Sequence, residues 1–167
     1  SDQYTVLHSV RWIARDGGRA RDGEADFVVF HPDNGFLVIE VKGGVISRES
    51  DSDTWWSENA AGEQIAGQDP FLQAERSMHA LVDKLQASPA TCGFVWPFSR
   101  MVAFPESLVR DIELPVHADA GMIIDSSSLT LLVRPIAEAM SGTGRKGPGP
   151  AGVKAAVGLL RPRIEIQ

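Results

Sequence analysis

Glu24 and Asp26 open one apolar run (residues 27–30), and Glu40 and Lys42 close another (residues 36–41), ahead of a Gly43-Gly44 exit. Strand residues two apart point to one face, so each pair presents two charged heads together. A buried strand gains nothing from that, because each charge costs several kcal/mol unless it is paired or bound to metal. Carboxylates converging beside one ammonium suit metal-assisted cleavage of a phosphodiester. Mg²⁺ or Mn²⁺ takes an octahedral oxygen shell, with one or two protein carboxylates and the rest water and substrate phosphate. Asp26 and Glu40 would be those carboxylates, and the Val41 carbonyl, which a strand points between them, a further oxygen ligand. The ion would polarise the phosphodiester and lower the pKa of a bound water. Lys42 would orient that water and offset charge building on phosphorus, with Glu24 in support. The same residues also fit a structural Glu40–Lys42 ion pair at a strand end, with Asp26 as a turn acid. Strand register decides between the two readings, and a sequence does not fix it.

The elements that must position these residues are legible from periodicity and turn chemistry. Residues 4–13 read as a strand that Asp16-Gly17-Gly18 ends. Residues 25–30 form a second strand, stopped by His31-Pro32-Asp33-Asn34-Gly35. Residues 36–41 form a third, apolar enough for the centre of a sheet. Residues 45–48 and 54–57 make a small hairpin around the acidic turn 49–53, with Trp55-Trp56 as core cover. Asp69 caps a helix that Pro70 begins and Ser88-Pro89 ends, with Phe71, Ala74, Met78, Leu81, Val82 and Leu85 at helical spacing. Residues 93–96, 100–104 and 122–124 read as strands. A helix over 129–140 must be kinked or limited by Pro135, and a last helix covers 151–160. Strands on either side of a helix predict an α/β fold around a mixed sheet.

The 167 residues, 43% of them apolar, can bury a sizeable core. A single cysteine, Cys92, excludes a disulfide framework and a cysteine zinc site, and fits a reducing, cytoplasmic setting. No run approaches the ~18 apolar residues of a membrane span, and the first residues lack signal-peptide order. A net charge of −6 gives no bulk attraction to nucleic acid. The basic residues are clustered, however. Arg11, Arg15, Arg19 and Arg21 precede the acidic pair, and every charged residue from 142 to 163 is basic: Arg145, Lys146, Lys154, Arg161 and Arg163. Arg15, Arg19, Arg21, Arg145 and Lys146 are candidate phosphate contacts; a solvated face or tail is the other reading.

The run GEADFVVFHPDNGFLVIEVKGGVI (residues 23–46), the tryptophan hairpin after it, and DPFLQAERSMHALVDKL (residues 69–85) resemble the nuclease-related domain (NERD) branch of the PD-(D/E)xK nuclease superfamily. The resemblance covers roughly residues 5–105. It implies a restriction-endonuclease-like αβββαβ core, a mixed central sheet flanked by helices, with the helix after Pro70 packed across it. By position, Asp26 and Glu40 match the family's metal ligands, Lys42 its catalytic lysine, and Gln73 a glutamine beside the active site. Relatives supply a further glutamate from a helix ahead of the first strand. The sequence shows no such helix: a trimmed helix, a disordered one, and replacement of its role by Glu24 are the three readings. The expected organisation is a nuclease-like domain at 1–141, a basic Gly/Pro loop at 142–150, and a C-terminal helix and tail at 151–167, with a further domain after it and a simple C-terminus as the two readings of its end. The expected function is Mg²⁺-dependent hydrolysis of DNA, with RNA as the alternative substrate and a fused or separate helicase as partner. A non-catalytic nucleic-acid-binding module is the alternative.

Other motifs carry less. The run 142–147 lacks the Gly-Lys-Ser/Thr ending of a phosphate loop. His8, His31, His79 and His117 are scattered, His31 alone following the Asp26 strand closely enough to reach a phosphate. There is no Gly-x-Ser-x-Gly elbow.

Overall fold

In the computed structural model, which describes residues 3–161, the chain begins as an antiparallel meander. Strand β1 (Thr5–Asp16) turns through Gly17 and Gly18, both at positive φ, into β2 (Arg19–His31). A second turn leads to β3 (Gly35–Val41). Next come three short strands, β4 (Val45–Glu49), β5 (Thr54–Glu58) and β6 (Gln64–Gly67), which form their own antiparallel sheet. Helix α1 (Pro70–Ala87) crosses back over the main sheet. Strand β7 (Phe98–Phe104) lies parallel to β3, and β8 (Ile123–Asp125) parallel to β7. Helices α2 (Val133–Ser141) and α3 (Gly149–Leu160) complete the element order. The main sheet runs β1-β2-β3-β7-β8, so it is mixed and β3 is its centre.

Alternation along β3 explains the layers. Phe36 and Val38 pack with Val28 and Phe30 beneath α1 (Met78, Leu81, Leu85) and α3 (Val153, Ala156, Leu160). Leu37 and Ile39 join Val29, Met101 and Ile124 beneath Met140 of α2 on the other face. The start of α1 is fixed by Asp69, whose Oδ1 accepts from the N–H groups of Phe71 (2.8 Å) and Leu72 (3.1 Å). Its Oδ2 lies 2.8 Å from Nε2 of His117. Trp55 is core cover as expected, its ring 5.9 Å from Phe71 and 6.2 Å from Phe104.

Some elements differ from the sequence reading. Residues 93–96 leave a turn at Gly93 and run on as irregular backbone rather than a strand. Trp96 is buried and donates its Nε1–H to the Thr91 carbonyl (2.9 Å), so its apolar surface is covered without a ladder. The region 129–140 divides into a 3-10 turn (Leu129–Leu131) and α2, which places Pro135 in the first turn of α2, where its missing N–H costs nothing. Strand β6 has no counterpart in the sequence pattern: Gln64–Gly67 has no strand signature and is exposed throughout, and its pairing with β5 makes it a strand. Among the described residues no helix precedes β1. The tail 162–167, with Arg163, lies outside the described residues, as do residues 1 and 2.

The outer half of the β1–β2 hairpin is clamped to α1 through one tryptophan. Trp12 is paired with Gly23, and its indole N–H donates to Ser77 Oγ on α1 at 3.0 Å. A Cβ at position 23 would meet the indole at 2.2 Å. Gly23→Ala is therefore expected to cost about 1–3 kcal/mol through overpacking, read as a lower urea midpoint at unchanged m-value; an unaltered midpoint would show that the indole is not held there.

Candidate active site

The pleat breaks where the acids lie. Across Ser9 the residues of β1 that face the α1 core switch from Leu7 to Val10, Trp12 and Ala14, and across Asp26 those of β2 switch from Phe30 and Val28 to Ala25. Register is unchanged on both sides (His8↔Phe27, Val10↔Ala25), but the Ser9–Asp26 pair itself drops out of the ladder. Ser9 has φ +55°, a left-handed conformation that a non-glycine residue adopts only under constraint. On the other side of β2, pairing with β3 stops at Phe27↔Ile39, one step short of Asp26 and Glu40. Asp26 is thus released from both neighbours at one point, and β2 and β3 part beside it.

Asp26 turns into that gap. Its Oδ2 accepts the Val41 N–H at 2.7 Å, taking the donor that the ladder leaves unpaired. The N–H and C=O of one residue leave a strand on the same side, so the Val41 carbonyl opens on the same gap. Lys42 is held behind it by its own N–H, which donates to the Ala103 carbonyl at 2.9 Å, and its Nζ lies 3.5 Å from Oε1 of Glu40. The exit of the strand is pinned too. Ser57 Oγ donates to the Gly43 carbonyl (2.6 Å), and the Gly44 N–H donates to Glu106 Oε1 (2.9 Å). Gly44 has φ +82°, and a Cβ there would lie 2.5 Å from Ser57 Oγ, so both conformation and space require glycine.

Glu40 is buried, with only 6% of its surface exposed. Burial, then the Asp26 charge, push its carboxyl up to about 7, with Lys42 opposing and Glu24 adding a smaller push. Asp26, Glu40 and Lys42 therefore share one field, and Glu24 belongs to its edge. The broken pleat explains the difference. Beyond Asp26 the core-facing residues are Ala25 and Gly23's partner Trp12, and Glu24 pairs instead with exposed Arg11 (3.6 Å). The alternation that put Glu24 and Asp26 on one face is interrupted between them.

The donors present fit a hard divalent cation that keeps its water. Among the described residues no three His, Cys, Asp or Glu side chains gather as a protein cage. Two carboxylates and a backbone carbonyl suffice for Mg²⁺, which usually takes one or two carboxylates and several waters. Glu40, costly to ionise where it lies, gains from a cation beside it.

The remaining candidates divide. Gln73, on α1, has its Oε1 buried without a hydrogen-bond partner, and it lines the same groove as Glu24 and Arg21. Arg15 and Arg19 are exposed towards the tip of the β1–β2 hairpin. Arg145 and Lys146 are exposed on the loop between α2 and α3, next to Gly147, which packs on Pro32 and Asp33 in the β2–β3 turn. That turn is at the opposite end of β3 from Glu40, so these two cations are not brought to the acids. His31 lies at the same far end, its Nδ1 accepting the Asp33 N–H, away from any phosphate at Glu40. Ser9, Ser57 and Glu106 shape the site without a sequence signal; only Gly43-Gly44 hinted at a constrained exit.

Fold and site together define a nuclease-like α/β core with a carboxylate–lysine centre where two central strands separate. The nuclease-related domain (NERD) family, a PD-(D/E)xK-like nuclease domain, matches residues 1–105, and the chain belongs to it. That span contains Asp26, Glu40, Lys42 and Gln73. No curated protein and no solved structure matches the chain.

The raised Glu40 carboxyl sets a pH dependence of stability. Between pH 4.5 and about 7 the folded chain keeps a proton that the unfolded chain releases, so stability falls as pH rises through that window. The penalty is fully present above about pH 7 and absent below pH 4.5, and is on the order of 3 kcal/mol. Glu40→Gln removes it. At pH 8 without divalent ions the variant should melt several degrees higher than wild type, at about 2–4 °C per kcal/mol for this size; at pH 4 the two should coincide. Equal melting temperatures at pH 8 would contradict the assignment.

Proposed function

We propose that this domain is a divalent-metal-dependent nuclease that hydrolyses DNA phosphodiester bonds. The observation that carries the reading is the shared gap between β2 and β3, where Asp26 is anchored on the Val41 N–H beside a buried Glu40 whose carboxyl is pushed up to about 7. Asp26, Glu40 and the Val41 carbonyl would hold Mg²⁺ or Mn²⁺. When bound, the ion supplies charge to the phosphoryl oxygens and a more acidic water. Asp26 and Glu40, which would repel a phosphate by themselves, have as their part the holding of that ion at the strand ends. Lys42, half-buried at the mouth of the gap, donates to the attacking water or a non-bridging oxygen and offsets the charge that grows on phosphorus. The rigid Gly43-Gly44 exit keeps its backbone from retreating.

A second reading, a non-catalytic nucleic-acid-binding module, is favoured by the lack of a third carboxylate at ligand distance among the described residues. Two variants separate the readings. Lys42→Ala should lose about 10²-fold or more of Mg²⁺-dependent cleavage while keeping its fold and its Mn²⁺-induced rise in melting temperature. Asp26→Asn should lose both cleavage and that rise. Cleavage of single-stranded DNA, duplex DNA and RNA, compared on one gel, identifies the substrate. Lys42→Ala cleaving as fast as wild type would refute the mechanism, and a wild-type chain with no Mn²⁺ response would favour the binding module.

A further inference from the structure

Next to Glu24 a groove of about 450 Å³ lies between the outer half of β2 and the first turns of α1. Its floor is the Trp12–Ser77 clamp, and Arg21, Asp22, Gln73 and Arg76 line it with Glu24. Two features mark it as built for a ligand. Proteins rarely leave a buried amide oxygen unpaired, yet Gln73 Oε1 has no donor. Arg76, three residues further on and so on the same helix face, is exposed, and no ion pair engages it among the described residues although two acids line the same groove. Glu24 stands two residues from Asp26 on β2, so the groove runs along the strand that carries the catalytic gap. The other basic cluster, Arg145 and Lys146, sits at the opposite end of the strands and cannot serve a strand lying here.

We propose that this groove is the track of the nucleic-acid strand flanking the scissile bond. Arg76 clamps the neighbouring phosphate through its guanidinium fork, and Gln73, on the same face of α1, forms part of the wall beside it. Arg76 is thus a positioning residue outside the carboxylate–lysine centre. The inference rests on the nuclease reading and adds to it the path of the substrate.

The test is binding of the whole chain to a fluorescein-labelled single-stranded oligonucleotide in EDTA, by anisotropy across a salt series, with cleavage followed in parallel in Mg²⁺. Arg76→Glu should weaken binding about tenfold or more and flatten the salt dependence by about one phosphate contact. Arg76→Lys should recover part of the loss, the melting temperature of both should match wild type, and the cleavage defect should appear in KM more than in kcat. The double variant Arg145→Glu/Lys146→Glu should bind within about threefold of wild type. Arg76→Glu binding as tightly as wild type, or the Arg145/Lys146 pair mattering more, overturns the track while wild-type cleavage leaves the nuclease reading intact. A wild-type chain that neither binds nor cleaves overturns both.

Discussion

The site depends on one backbone constraint, the break in pleating at Ser9 and Asp26. A regular β1-β2-β3 meander would pair Asp26 on both sides and extend the β2–β3 ladder past Glu40. Instead Ser9 is held at φ +55° and both ladders lapse at Asp26. Such a conformation costs on the order of 1–3 kcal/mol, and packing on either side supplies the offset: Leu7, Val28 and Phe30 before the break, Val10, Trp12 and Ala25 after it, all in one cluster. The Asp26 carboxylate then replaces β2's backbone as the acceptor for Val41. A structural ion pair would not need this arrangement, because Glu40 and Lys42 could meet at a regular strand end.

The second consequence is electrostatic. With Asp26 turned into the gap, a buried Glu40 faces another carboxylate, and one lysine at 3.5 Å does not balance the two. The folded chain carries this unfavourable charge for no structural return. Sites that bind cations or stabilise transition states are where proteins accept such a cost. The surroundings are rigid where precision matters: β3 is central and buried, Lys42 is tied to β7, and the glycine exit is held by Ser57 and Glu106.

Much of this was legible in the chain. Strand β3, the turn before it, the Asp69 cap with Pro70 and the apolar spacing of α1 follow from local chemistry, and local chemistry prevailed. Asp26, Glu40 and Lys42 stand out in the sequence because charges in apolar strands are rarely idle, and the fold brings the three together. What sequence could not supply were relations between elements. The register beside Asp26, the reversal of facing at Ser9 and the separation of Glu24 from the other acids depend on how two strands pack, and Ser9 looks like any strand serine. Residues 93–96 differ for a related reason: an apolar run can bury a ring such as Trp96 from irregular backbone as well as from a ladder. The basic loop at Arg145 and Lys146 looked relevant by charge, but only the fold places it at the far end of the sheet.

The most direct measurement is a crystal structure of the chain grown with Mn²⁺, using anomalous scattering to locate the ion. One peak is expected between the Asp26 and Glu40 carboxylates, within about 2.0–2.3 Å of an oxygen from each and near the Val41 carbonyl. Saturating Mn²⁺ with no peak in that gap, or an ion bound elsewhere while Glu40 and Lys42 keep their pair, would contradict the account.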